Sequence, residues 1–207
     1  MTNVESIVAV ASRINGLRPE DWKTLGEVEA TLKPWGPAVA KAFYDVLYSD
    51  PDAALVLGEG NRGTRERVLK EWYEALVSGN PGPKFWEHTW MVGWIHILAN
   101  VKNVYMMSIG LRVEEIFLGA CLKSFERDQA LKVYTSFRRV FGTVTTVIAE
   151  SYVNGLVSGM EFLGINPKLV ERMRKTFISK GIDEMRRNLA RGEPGTRGPD
   201  SNRPPPG

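Results

Sequence analysis

Apolar residues recur every three or four positions along most of this chain, which is the spacing that buries one side of an α-helix. Pro, Gly, Asn and Asp interrupt this spacing and mark loops. β-branched residues are scattered and form no alternating runs bounded by hairpin turns, so strands are not expected. The pattern predicts an all-α protein with helices over residues of about 4–14, 19–33, 35–48, 64–77, 84–98, 101–123, 128–162 and 167–191.

Local chemistry suggests where several of these helices begin and end. Pro19 suits the first turn of a helix, because its missing N–H is not needed there. Thr64 is predicted to cap the helix that the Pro- and Gly-rich residues 78–83 terminate. Pro167 introduces the last helix, in which one face collects the apolar residues Val170, Met173, Phe177, Ile182, Met185 and Leu189.

The domain organisation follows from the same pattern. Residues 1–166 are expected to form one helical domain, and residues 167–191 an appended amphipathic helix. Gly, Pro, Ser and Arg dominate residues 192–207, so this tail is expected to be disordered.

The composition indicates a cytoplasmic protein. Of 207 residues, 43% are hydrophobic and 25% charged, as in ordinary globular domains. No apolar run reaches the roughly 18–20 residues that a membrane span needs, and the N-terminus lacks the pattern of a signal peptide. The single cysteine, Cys121, excludes an internal disulfide and fits a reducing compartment.

The net charge of +3 is unevenly distributed. Residues 167–191 contain eight Lys/Arg and three Asp/Glu, whereas a basic nucleic-acid-binding fold would spread positive charge over its body. The last helix could dock on the domain, mediate dimerisation or lie on an acidic membrane. We expect docking or dimerisation, and neither a nucleic acid nor a membrane as a partner.

Common catalytic and metal-binding motifs are missing from the sequence. It contains no Walker loop, H-E-x-x-H or G-x-S-x-G. The only histidines are His88 and His96, and eight residues of helix separate them by about 12 Å of rise, so they cannot chelate one ion. No catalytic residue is therefore proposed from sequence.

The aromatic-rich segment 84–101 has the most informative pattern. At 100° per residue, Phe85, Thr89, Val92 and His96 fall nearly on one line, with a row of Trp residues on the opposite side. His96 thus projects from an apolar face. It could be a core histidine bonded to a backbone carbonyl. Alternatively it could bind a haem iron, with Nδ1–H donating to the Val92 carbonyl.

Three short segments resemble the family of protoglobins and globin-coupled sensors. Residues 92–96, Val-Gly-Trp-Ile-His, followed by Val-Tyr-Met at 104–106, are similar to its proximal hydrophobic-Gly-x-x-His segment. Residues 43–44, Phe-Tyr, are similar to its distal aromatic-Tyr pair, and residues 71–79 to its segment with Trp and a terminal Ser-Gly. The resemblance covers about residues 35–160.

The resemblance implies a globin-like helical sandwich with an extra N-terminal helix and an added C-terminal amphipathic helix. It implies haem b (iron protoporphyrin IX) as cofactor and His96 as the proximal metal ligand. Tyr44 would be the distal hydroxyl that donates to iron-bound dioxygen. The remaining pocket residues implied are the distal walls Phe43 and Trp72 and the porphyrin contacts Val68, Val92, Ile109 and Val113.

Two departures from the family limit the functional interpretation. Residues 64–77 contain no histidine, so an oxygen-storage globin with a distal histidine is not indicated, and no sensor output domain follows residue 162. The expected function is reversible binding of a diatomic gas (O₂, CO or NO) at a pentacoordinate iron, in a sensor or scavenger. We expect a homodimer through the long C-terminal helices.

Two alternatives remain open from the sequence. One is a haem-free globin fold that acts as an interaction module in a signalling complex. The other is a haem enzyme, such as a nitric-oxide dioxygenase or a peroxidase, which would need an external reductant because the chain has no reductase domain.

Overall fold

The computed structural model describes residues 4–58, 60–82 and 84–191, and every regular element in these ranges is helical, as predicted. The helices are α1 (Val4–Asn15), α2 (Pro19–Glu27), α3 (Glu29–Leu32), a 3-10 turn (Lys33–Trp35), α4 (Gly36–Ser49), α5 (Pro51–Leu57), α6 (Arg62–Val77), α7 (Lys84–Leu98), α8 (Asn103–Ser124), α9 (Arg127–Phe162) and α10 (Pro167–Arg191). The predicted disordered tail, residues 192–207, lies outside the described residues.

The single helix predicted over 19–33 is interrupted at Val28, whose backbone is not helical (φ −118°, ψ 13°). The interruption lies beside a contact between two glycines. Gly79, at φ +76°, lies so close to α2 that a Cβ on it would be 2.5 Å from Gly26 Cα. This contact joins the end of α2 to the end of α6, and it leaves no room for a side chain on Gly79.

Helix α6 begins at Arg62, two residues before the expected start, so the predicted Thr64 cap is wrong. The Arg62 side chain explains the earlier start. Its Nε donates to Glu66 one turn later, at 2.7 Å, and its Nη2 donates to Asp45 of α4. These two ion pairs stabilise a first turn that lacks a side-chain cap.

Residues 1–156 form one compact unit. Its core contains a stack of phenylalanines from α8 and α9. The ring centroids of Phe117 and Phe137 are 3.6 Å apart, and those of Phe137 and Phe141 are 5.3 Å apart. Two buried polar groups of this unit are paired: the Tyr73 hydroxyl donates to the Leu32 carbonyl at 3.0 Å, and the Asp21 carboxylate accepts from the Ser136 hydroxyl at 3.0 Å.

Helix α9 is the one described helix long and apolar enough, by length and composition, to cross a membrane. Its side chains Phe137, Val140, Val144 and Val147 are buried among protein atoms. This is how a core helix behaves, so the composition alone is weak support for a span.

The second compact unit comprises residues 157–207, described as far as Arg191. It contains the end of α9 and the whole of α10. Large apolar side chains of this unit are exposed to solvent, among them Phe162, Met173, Phe177 and Leu189.

Candidate functional site

The position of α7, which contains His96, depends on a close approach to α9. A Cβ built on Gly93 would lie 2.6 Å from the Ile148 carbonyl oxygen and 2.8 Å from Ser151 Cβ. At the same place the Ser151 hydroxyl donates to the Trp90 carbonyl. The absence of a side chain at Gly93 therefore lets the two backbones approach, and the Ser151 hydrogen bond adds a polar link.

Gly155, about one turn after Ser151 on α9, extends the contact between the two helices. Its Cβ would lie 2.7 Å from Ile97 Cδ1 and 2.8 Å from Trp94 Cδ1. Contacts at positions 93, 94 and 97 define which side of α7 faces α9. His96 precedes Ile97 by one residue and so projects about 100° around the helix from that neighbour.

Helix α7 ends immediately after His96 in a Schellman motif. The Val101 N–H donates to the His96 carbonyl at 2.9 Å, and the Asn100 N–H donates to the Ile97 carbonyl at 3.1 Å. Asn100 has a left-handed backbone, φ +55°, which asparagine tolerates better than most residues. The motif fixes the corner between α7 and α8 next to His96.

The imidazole of His96 is half-buried, and within the described part of the chain its buried Nδ1 has no hydrogen-bond partner. The bond expected between Nδ1 and the Val92 carbonyl is therefore not formed. Burial lowers the pKa of His96, which favours the neutral ring that has a lone pair for a metal. A metal bound by this ring would take the other nitrogen, Nε2, and Nδ1–H would still lack the acceptor that the sequence predicted.

Several predicted pocket residues share one apolar cluster. Val113 belongs to the main core, and Phe43, Trp72 and Val92 pack against it. Trp72 also contacts Phe141, with ring centroids 6.2 Å apart, and its buried indole Nε1 has no partner among the described residues.

Ile109 and Val68, two other predicted porphyrin contacts, differ in how far their side chains are buried. Ile109 is buried, only 4% exposed, whereas Val68 on α6 is 53% exposed. The i, i+4 spacing that paired Val68 with Trp72 indicates their common face but does not reveal how far the neighbouring helices cover it.

Tyr44 lies beside Phe43 on α4, and their ring centroids are 5.1 Å apart. Burial raises the pKa of Tyr44 to about 12, while the positive charge of Arg65 acts in the opposite direction. The hydroxyl is therefore protonated at neutral pH and available as a donor.

Sequence reasoning missed the polar group next to Tyr44. The Tyr48 hydroxyl donates to the Gly58 carbonyl at 2.9 Å and accepts from Arg65 Nη1 at 3.0 Å. The Tyr44 and Tyr48 rings lie 6.4 Å apart. The four-residue spacing of the two tyrosines on one helix was the available signal, but their link to α6 through Arg65 arises only in the folded chain.

The residues around His96 suit one kind of ligand. The described residues contain no group of three or more His, Cys, Asp or Glu side chains able to hold a metal ion. One neutral imidazole beside apolar walls matches a flat apolar cofactor that supplies most of the metal's ligands itself, such as a porphyrin.

Comparisons with known proteins agree with these features. The profile of the Protoglobin family matches residues 5–157. Two solved structures of the globin domain of E. coli DosC, one ferric and one ferrous, have TM-scores of 0.57 and 0.58. Each is 12% identical in sequence and covers 70% of this chain and 99% of its own. A comparison with curated protein sequences gives no match.

The contact at Gly93 predicts a loss of stability when a methyl group is added there. Gly93→Ala should lower the free energy of unfolding by about 1–3 kcal/mol, because the methyl group meets α9 backbone that has little room to move. Urea denaturation followed by circular dichroism measures the change.

The matched control is Gly142→Ala in the interior of α9, where the nearest atoms to a new Cβ, in the Asn15 side chain, are 3.9 Å away. Alanine should there leave stability unchanged or raise it by up to about 1 kcal/mol. Equal effects of the two substitutions would contradict the close approach of α7 and α9.

Proposed function

The chain belongs to the protoglobin family, and we propose that it binds haem b through His96 and reversibly binds a diatomic gas. In this proposal residues 1–166 form the haem-binding globin domain, and His96 is the only protein ligand of a pentacoordinate iron. The main supporting observation is the half-buried imidazole of His96, whose pKa burial lowers and which projects from a helix held against α9.

The protein side of this function is binding, orientation and exclusion of water. The iron of a bound haem supplies an open coordination position for the gas. Val92 and Val113 belong to the apolar surroundings, in which a neutral imidazole is preferred to a charged one. The Schellman motif after His96 and the α7–α9 contact limit rotation of α7, the helix that contains His96.

Tyr44 is proposed as the hydrogen-bond donor on the distal side. Its hydroxyl stays protonated, and α6 offers no histidine for this role. A donor in apolar surroundings favours O₂, which carries partial negative charge when bound, over CO, which is far less polarised. A pocket with one such donor suits a cytoplasmic sensor or scavenger.

The proposed ligand role of His96 is tested by removing each histidine in turn. His96→Ala should abolish haem retention or leave haem loosely bound, because no other described side chain of the site offers a comparable ligand. The exposed His88, two turns earlier on α7, is the matched control, and His88→Ala should keep the Soret spectrum of ferric, ferrous and CO-bound protein.

Equal haem content in the two variants would rule out His96 as the ligand. A purified protein without a Soret band, reconstituted with hemin and still without one, would favour the haem-free interaction module instead.

The role of Tyr44 is tested by Tyr44→Phe, which keeps the ring and removes only the donor. A hydrogen bond to a charge-bearing acceptor contributes about 1.5–3 kcal/mol, and about 1.4 kcal/mol is a factor of ten in an equilibrium constant. O₂ dissociation should therefore become about tenfold faster or more, while CO dissociation changes little. Stopped-flow spectroscopy measures both rates.

Tyr134→Phe, in the half-buried ring packed against the core from α9, is the control and should change neither rate. If Tyr44→Phe alters O₂ and CO dissociation alike, or alters neither, Tyr44 is a packing residue. The unpaired Trp72 indole N–H would then be the next donor to examine.

The proposal includes a homodimer through the long helices α8 and α9. It is supported by large apolar side chains that these helices expose, namely Met107, Leu111, Leu122, Leu131 and Val153. Sedimentation velocity should give about twice the chain mass of 23.2 kDa. Leu111→Glu should shift the protein to monomer, whereas Leu55→Glu, at an exposed position of α5, should not. A wild-type monomer at tens of micromolar would exclude the dimer.

A further inference from the structure

Helix α10 combines a strong positive charge with an uncovered apolar surface. Its 25 residues include eight Lys/Arg and three Asp/Glu, a net charge of +5. Two of the acidic residues are already paired within the helix, Glu171 with Lys175 and Asp183 with Arg186. The charge that remains for a partner is positive.

The large apolar side chains of α10 follow one another at four-residue intervals. Leu169, Met173 and Phe177 begin this row, and Met185 and Leu189 continue it beyond Gly181. All five are exposed, Phe177 by 67% and Leu189 by 76%. Ile178 and Ile182, beside the row, are exposed as well. An exposed apolar surface of this extent normally binds a partner.

The cations lie mainly away from the apolar side chains. At 100° per residue, Arg172, Lys180 and Arg187 project from the side opposite the mean direction of these seven apolar side chains, and Lys168, Lys175, Arg186 and Arg191 lie nearer its border. Arg174 is the exception. Long Lys and Arg side chains at such borders can lay their methylene stems along an apolar surface while the charged group reaches outward.

We propose that α10 lies on the surface of an anionic lipid bilayer, with its apolar side chains at the boundary between headgroups and acyl chains and its cations on the acidic headgroups. A basic amphipathic helix with low overall hydrophobicity and exposed Phe, Leu, Ile and Met has the chemistry that this surface recognises. The sequence alone did not favour a membrane for this helix. The exposure of the whole apolar row in the folded chain changes that expectation.

Charge argues against a second copy as the partner, and the apolar surface argues against a nucleic acid. Pairing α10 with α10 of a second copy would bring two segments of net charge +5 together, and like charges oppose that association. A nucleic acid would neutralise the cations but would leave Met173, Phe177 and Met185 in water. An anionic bilayer satisfies both the charge and the apolar surface.

The test is co-sedimentation of the full chain with large unilamellar vesicles. Phosphatidylcholine vesicles containing about one-third phosphatidylserine should bind the protein at least tenfold more tightly than pure phosphatidylcholine vesicles, and binding should weaken at high salt. Arg172→Glu/Lys175→Glu and Met173→Asp/Phe177→Asp should each weaken binding to the anionic vesicles tenfold or more, through charge and apolar contact respectively.

Matched controls change charge and apolar surface to the same extent outside α10. Lys23→Glu/Lys132→Glu on α2 and α9, and Ile14→Asp/Leu55→Asp on α1 and α5, alter exposed residues outside the proposed dimer surface and should bind vesicles as the wild type does. The helical circular dichroism of all variants shows whether they are folded.

Three results would overturn the proposal. The first is equal binding, or no binding, to the two kinds of vesicle. The second is loss of a dimer in the α10 variants without any vesicle binding, which would assign the surface to a second copy. The third is tight binding of duplex DNA together with no vesicle binding. None of these outcomes depends on haem content, so the proposed gas-binding function is tested separately.

Discussion

The close approach of α7 to α9 at Gly93 is the constraint on which the candidate site depends. Because Gly93 has no side chain, the α9 backbone at Ile148 lies where a Cβ would be, and Ser151 reaches the Trp90 carbonyl. This contact sets how α7 is rotated about its axis. It therefore determines the direction in which His96 projects, before any ligand is considered.

Buried polar groups of the first unit include a paired set and an unpaired set. Asp21 and Tyr73 lie deep in the first unit and are hydrogen-bonded. Unpaired buried side-chain atoms among the described residues are His96 Nδ1 on α7, Trp72 Nε1 on α6 and Asn103 Oδ1 at the start of α8. Leaving such atoms unpaired costs stability, and proteins accept that cost where a ligand or a mechanism requires the groups to stay free.

The two compact units differ in what stabilises them. Residues 1–156 bury aromatic side chains such as Phe117 and Phe137 in a continuous core. The described part of residues 157–207 leaves its large apolar side chains in solvent. The first unit therefore has the continuous core of a folded domain. The surface of α10, basic and apolar at once, has the properties of a segment that is completed by an external partner.

The sequence by itself determined the all-α class and most helix ranges, and it identified His96 as a candidate, because helical periodicity and Pro/Gly interruptions are local signals. The single histidine on an apolar face of α7 needed no tertiary information either. The sequence could not determine the break at Val28, the start of α6 at Arg62 or the missing hydrogen bond from His96 Nδ1. Each of these results from contacts between residues far apart in the chain or from the fixed direction of a helix, and such contacts exist only once the helices have packed.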